Sequence, residues 1–103
     1  MPSKIVIVDY GMGNIQSVFR KFLMSGITPV VSNDRSTIRN ADKLILPGVG
    51  HFGKAMSNLE SLGLIDNLNE SVLIRKTPIL GICLGMQLMT NGSEEIARKL
   101  VFN

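Results

Sequence analysis

The residues predict an α/β fold of three layers, a mostly parallel sheet with helices on both faces. Three observations carry that expectation. Short aliphatic runs recur at Ile5-Val6-Ile7-Val8, Lys43-Leu44-Ile45-Leu46 and Ile79-Leu80-Gly81-Ile82. Such continuous runs suit strands buried on both faces. Between them lie stretches whose apolar side chains recur at helical spacing, and alternating strands and helices build parallel sheets.

The first run ends in Asp9, and the loop Tyr10-Gly11-Met12-Gly13 follows. Asn14 is a good helix N-cap, because its short side chain can accept from an unpaired N–H of the first turn. Ile15, Val18, Phe19, Phe22 and Leu23 then fall at i, i+3, i+4, i+7 and i+8, one face of a helix. Ser25-Gly26 stops it. Pro29-Val30-Val31 reads as a second strand, closing a βαβ unit. Gly11-x-Gly13 between a strand and a helix is a partial dinucleotide fingerprint. Gln16 stands where the third glycine belongs, so the signal is weak.

Asn33-Asp34 can cap a helical turn reaching about Asn40. The third strand, Lys43 to Leu46, is expected to break at Pro47, which has no N–H for a ladder. Gly48-Val49-Gly50 follows, free to point backbone N–H groups at a ligand. His51-Phe52-Gly53 leads into a helix carrying Ala55, Met56 and Leu59. A further helix is expected from Leu64 to about Arg75, with Ile65, Leu68 and Val72 on one face. Beyond the fourth strand, Leu88 and Met89 continue a helix to Asn91-Gly92. Ser93 then caps a last one, with Glu94 and Glu95 in its first turn and Arg98 and Lys99 in its last.

Composition removes several function classes. At 103 residues the chain is one domain at most. Lysine and arginine are scattered and the net charge is only +3, so no nucleic-acid-binding block exists. With no tryptophan and 5% aromatics there is no stacking platform for single strands. No apolar run reaches the roughly 18 residues of a membrane span, and no signal-peptide core precedes the first strand. A single cysteine forms no internal disulfide, which suits the cytoplasm. One histidine and one cysteine do not complete a zinc shell, and no cofactor is expected.

The chemistry concentrates at Gly81-Ile82-Cys83-Leu84-Gly85. This is the form of a nucleophile elbow with cysteine in place of serine. A strand turns sharply into a helix, and flanking glycines spare the bend two Cβ atoms. A cysteine at a helix N-terminus gains thiolate character from the dipole. That matters because at an ordinary pKa near 8.5 only about 3% is thiolate at pH 7. The Leu84 N–H is one oxyanion donor by elbow geometry, and the Gly48–Gly50 loop could supply a second. Gln87 lies one helical turn beyond Cys83 and faces the same pocket. His51, beside the glycine loop, could approach Cys83 if the loops face each other; a partly exposed loop histidine is the preferred reading, since a triad is known by geometry rather than presence. A small buried core cysteine is the competing reading of Cys83.

Three segments now stand in order: Asp9-Tyr10-Gly11-Met12-Gly13-Asn14, then Pro47-Gly48-Val49-Gly50-His51-Phe52-Gly53-Lys54-Ala55-Met56, then Gly81-Ile82-Cys83-Leu84-Gly85-Met86-Gln87. Together they closely resemble the glutamine amidotransferase subunits of imidazole glycerol phosphate synthase, which are class I, triad-type amidotransferases with a flavodoxin-like fold. The resemblance runs from about Lys4 to Glu95. It implies a glutaminase in which Cys83 attacks the glutamine side-chain amide, forms a thioester and releases ammonia. It assigns Gly48, Gly50 and Gln87 to glutamine binding, and Val49 and Gly50 to the oxyanion loop. It implies a heterodimer with a (β/α)8-barrel cyclase that uses the ammonia in histidine biosynthesis.

Members of that family are about twice this length, and their catalytic histidine and glutamate lie near the C-terminus. His51 does not match that histidine, and residues 96–103 no longer resemble the family. The chain is therefore expected to be a single, incomplete amidotransferase domain over residues 1–103. An open sheet edge would leave it marginally stable or self-associating. Other readings are a truncated product, a non-catalytic docking module, and a paralogue feeding ammonia to a surface-polysaccharide sugar amidotransferase. A redox thiol protein of the wider fold is disfavoured, because Leu84 stands where such proteins often place histidine.

Overall fold

A computed structural model of the chain describes residues 3–48 and 52–83. Four strands form one parallel sheet: β1 (Ile5–Val8), β2 (Val30–Ser32), β3 (Lys43–Gly48) and β4 (Ile79–Cys83). Their order is β2-β1-β3-β4, and all three pairings are parallel. The helices are α1 (Ile15–Met24), α2 (Arg35–Arg39), α3 (Phe52–Ser61) and α4 (Leu64–Asn69). A π-helical turn, Glu70–Ile74, extends α4.

Parallel strands need crossovers, and right-handed crossovers decide the layers. The step from β1 to β2 runs one way along the sheet, and the steps to β3 and β4 run the other. So α1 lies on one face and α2, α3 and α4 on the opposite one. Packing agrees. Val6, Val8, Leu44 and Leu46 share a core with Ile38 of α2, Ala55 and Leu59 of α3, and Leu64 and Leu68 of α4. Ile7 and Ile45, one residue out of phase, are buried on the other face.

The caps form as their chemistry requires. Asn14 Oδ1 accepts from Ser17 N at 3.2 Å at the start of α1. Asp34 Oδ2 accepts from Thr37 N at 2.9 Å at the start of α2. Lys4 N donates to Asp42 Oδ2 at 2.6 Å, tying the entry of β1 to the turn before β3.

The expected break at Pro47 does not occur, since β3 continues through it to Gly48. The direction of its ladder explains why. Lys43 N donates to Lys4 O on the β1 side, and Leu44 N donates to Pro78 O on the β4 side. Alternation then turns Ile45 and Pro47 toward β1, and Leu46 and Gly48 toward β4. Pairing with β1 ends at Ile7↔Ile45. The missing proline N–H therefore faces a position where the ladder has already stopped.

Three smaller expectations also shift. The second strand starts at Val30 and takes in Ser32 rather than Pro29. The helix expected to run to Arg75 widens into the π turn, in which Arg75 N donates to Glu70 O. It ends as Lys76 takes a positive φ of 60°. The fourth strand begins at Ile79, after Thr77-Pro78, and runs through Gly81 to Cys83, so no turn forms at Gly81. The helices expected beyond Cys83 lie outside the described residues.

Candidate functional site

Strands β3 and β4 end together. Their register pairs Leu46 with Gly81, Pro47 with Ile82 and Gly48 with Cys83. Neighbouring strands stand about 4.8 Å apart. The last described residue of the glycine-loop motif thus lies beside the elbow cysteine, at the carboxyl edge of the sheet where open α/β folds bind ligands. Two segments 35 positions apart in the sequence meet here. Val49, Gly50, His51, Leu84 and Gln87 lie outside the described residues.

The loop after β1 forms a second wall. Gly13 has a φ of +91°, and a Cβ on it would stand 2.8 Å from Gly48 N, 3.0 Å from Gly48 Cα and 3.1 Å from Pro47 C. The strand order reverses between β1 and β3, the usual place for a ligand crevice. Here Gly13 brings the loop after β1 against the Pro47–Gly48 backbone at that crevice, one strand away from the pairing of Gly48 with Cys83. Asn58 of α3 holds the same loop from its other side, donating from Nδ2 to Tyr10 O at 3.0 Å. Gly11, at a φ of +83°, makes room for that amide, because a Cβ there would meet Asn58 Nδ2 at 3.0 Å.

This packing removes the dinucleotide reading of Gly11-x-Gly13. The loop spends its glycines on Gly48 and Asn58 rather than on a phosphate. A cavity of about 370 Å³ does touch Gly11, but its one charged lining residue is Asp9 and no lysine or arginine lines it. An anionic phosphate finds no counter-charge there.

Within the loop, Tyr10 is buried, and its hydroxyl has no hydrogen-bond partner among the described residues. Burial pushes its pKa up to about 12, because the phenolate loses solvation. Asp34, at the start of α2, is fully exposed, and the Thr37 backbone and hydroxyl bonds hold its carboxyl below the usual range. Among the described residues, no three His, Cys, Asp or Glu side chains gather as a metal site. No helix among them is long and apolar enough to cross a membrane.

Sequence reasoning missed the contacts of Gly13 and Asn58. The available signal was the pair of glycines before Asn14, read as a weak fingerprint. The spatial partner, Gly48, lies 35 positions away and nothing local announces it.

Known proteins place this geometry. A profile of the family described as glutamine amidotransferase class-I matches residues 6–101. The chain is 55% identical over 91 residues to imidazole glycerol phosphate synthase subunit HisH 2 of Methanococcus maripaludis, covering 88% of this chain and 45% of that protein. It is 55% identical over 94 residues to HisH 2 of Vibrio vulnificus, covering 90% and 44%. It is 50% identical over 92 residues to HisH of Methanopyrus kandleri, covering 89% and 45%. The chain spans about half the length of the curated relatives it matches. With a parallel α/β sheet, a cysteine at the end of β4 and a family match across nearly all its residues, the chain belongs to the class-I glutamine amidotransferases.

Proposed function

We propose that these residues form the nucleophile-bearing part of a glutaminase that supplies ammonia to imidazole glycerol phosphate synthesis. The pairing of Gly48 with Cys83 at one sheet edge is the observation that carries the reading. The relatives, named as subunits of imidazole glycerol phosphate synthase, support it.

In this reading Cys83 Sγ attacks the side-chain carbonyl carbon of glutamine. The carbonyl oxygen becomes an oxyanion, held by the Leu84 N–H and by the loop through Val49 and Gly50. Collapse expels ammonia and leaves a glutamyl thioester, which water hydrolyses to glutamate. Gly48, Gly50 and Gln87 hold the substrate. The leaving amine needs a proton; the family's catalytic histidine, near the C-terminus of members about twice this length, is not matched by His51. The protein partner is a (β/α)8-barrel cyclase subunit that receives the ammonia, in a cytoplasmic heterodimer. The same site would serve a sugar amidotransferase partner equally well.

The test is glutamine-dependent ammonia release, with and without the cyclase, comparing the parent with Cys83→Ala. Release lost in Cys83→Ala is expected. Release that survives the substitution overturns Cys83 as nucleophile. No release from the parent in either condition makes these residues an inactive fragment or a docking module rather than a working glutaminase by themselves.

A further inference from the structure

We propose that Gly13 is a positioning residue for the Gly48–Cys83 edge, setting where the Pro47–Gly48 peptide stands relative to the nucleophile. The inference rests on the glutaminase reading and deepens it. Among the described residues, four glycines have positive φ: Gly11, Gly13, Gly26 and Gly63. Only at Gly13 would an added Cβ run into main chain below 3.0 Å. At Gly11 the obstacle is the far end of a side chain. At Gly63 it is Arg35 at ordinary contact distance, and at Gly26 there is nothing within 4 Å.

The direction of the contact gives it a consequence. Leu44 N donates toward β4, so by alternation Gly48 N also points toward β4 and Cys83. Gly13 approaches the same nitrogen from the β1 side. A Cβ there drives the Pro47–Gly48 peptide along the line joining β1 to β4, and Gly48 is paired with Cys83 on that line. Proline fixes φ at Pro47, which removes one of the rotations by which this peptide could yield. The Asn58 amide on Tyr10 O holds the Gly13 loop from behind, so the loop does not simply retreat. Gly13 thus sets a spacing in the glutamine pocket and touches no reacting atom.

The experiment reads two alkylation rates of Cys83 in the full chain by mass spectrometry. One reagent is a diazoketone analogue of glutamine, which needs the pocket. The other is iodoacetamide, which needs only an accessible thiol. In Gly13→Ala the diazoketone rate falls about tenfold to a hundredfold, as for a misplacement of around 1 Å, while the iodoacetamide rate stays within about twofold. Gly26→Ala carries the same left-handed φ without the contact and leaves both rates unchanged. If circular dichroism shows that Gly13→Ala does not fold, Asn58→Ala carries the test. It frees the loop without adding a Cβ and lowers the ratio of the two rates several-fold. An unchanged ratio in the folded variants overturns the positioning role alone. A parent that iodoacetamide alkylates but the diazoketone does not overturns the glutaminase reading and this inference with it.

Discussion

On one face of the sheet Val6, Val8, Leu44 and Leu46 disappear under α2, α3 and α4, together with Ile38, Ala55, Leu59, Leu64 and Leu68. On the other face stands α1, which has the most regular apolar stripe in the sequence and not one buried residue. Its Leu23 is 45% exposed. Ile15, Phe19, Leu23 and Val31 line an open cavity of about 460 Å³, and Leu80 of β4 is 55% exposed. The contrast separates two properties that a hydrophobic pattern merges. A stripe at helical spacing says that a helix forms and which side is apolar. It does not say how much of that side is covered, which depends on how many neighbours the topology brings over it.

The largest expected effect breaks or confirms this contrast directly. Leu59→Ala, in α3 on the packed face, costs about 2–5 kcal/mol, because it removes buried methyl groups and leaves a cavity. Phe19→Ala, on the half-open face, deletes a larger side chain yet costs no more than about 1.5 kcal/mol. Urea unfolding of both variants checks it, and equal losses would mean that α1 is as well packed as α3.

Tyr10 gives a medium effect on the packed side. Its hydroxyl is buried without a partner, so it pays desolvation and recovers no bond. Tyr10→Phe leaves stability unchanged or raises it by about 1 kcal/mol. The same residue sets an alkaline limit. Its folded pKa, about 12, exceeds the ordinary 10.0. The folded chain therefore keeps a proton that the unfolded chain has lost. Stability is full below pH 10.0 and declines as pH rises toward 12, and Tyr10→Phe flattens that decline in a pH series of melts. A parent and variant that fall together would place the alkaline loss elsewhere.

The smallest effect is at Asp34, where the sign reverses. Bonds from Thr37 favour the carboxylate, so the folded pKa lies below the ordinary 3.8. The cap contributes above pH 3.8 and is lost as pH falls through the folded value. Asp34→Asn keeps an acceptor for Thr37 N but cannot titrate. The parent melting temperature should fall slightly more than that of the variant on acidification. Full exposure and solvent screening keep the difference small, and a variant as acid-sensitive as the parent would remove Asp34 from the account.

Much of the fold was legible before any coordinates. The runs at Ile5, Lys43 and Ile79 became strands, and Asn14 and Asp34 became caps, because β-branching, helical spacing and a short acceptor side chain act over a few residues. Cys83 and the Gly48 motif were singled out as candidates for the same reason, each standing in a local pattern. The structure brings the two together, and Gly13 with them, and that was not legible. Residues that meet through strand order carry no mark of the meeting at either position.

Taken alone, then, the sequence determined most of the described elements and their parallel class, and it named Cys83 and the glycine motif as candidates for the chemistry, since each reading follows from propensities and patterns a few positions long. Tertiary structure decided three things. It let β3 run through Pro47, because the ladder on that side had ended at Ile45. It set Gly13 against the Pro47–Gly48 backbone and Gly48 beside Cys83. It buried one face of the sheet more deeply than the other. Each depends on which strand lies beside which, and that is settled by crossover direction and packing across the whole chain rather than by any local run of residues.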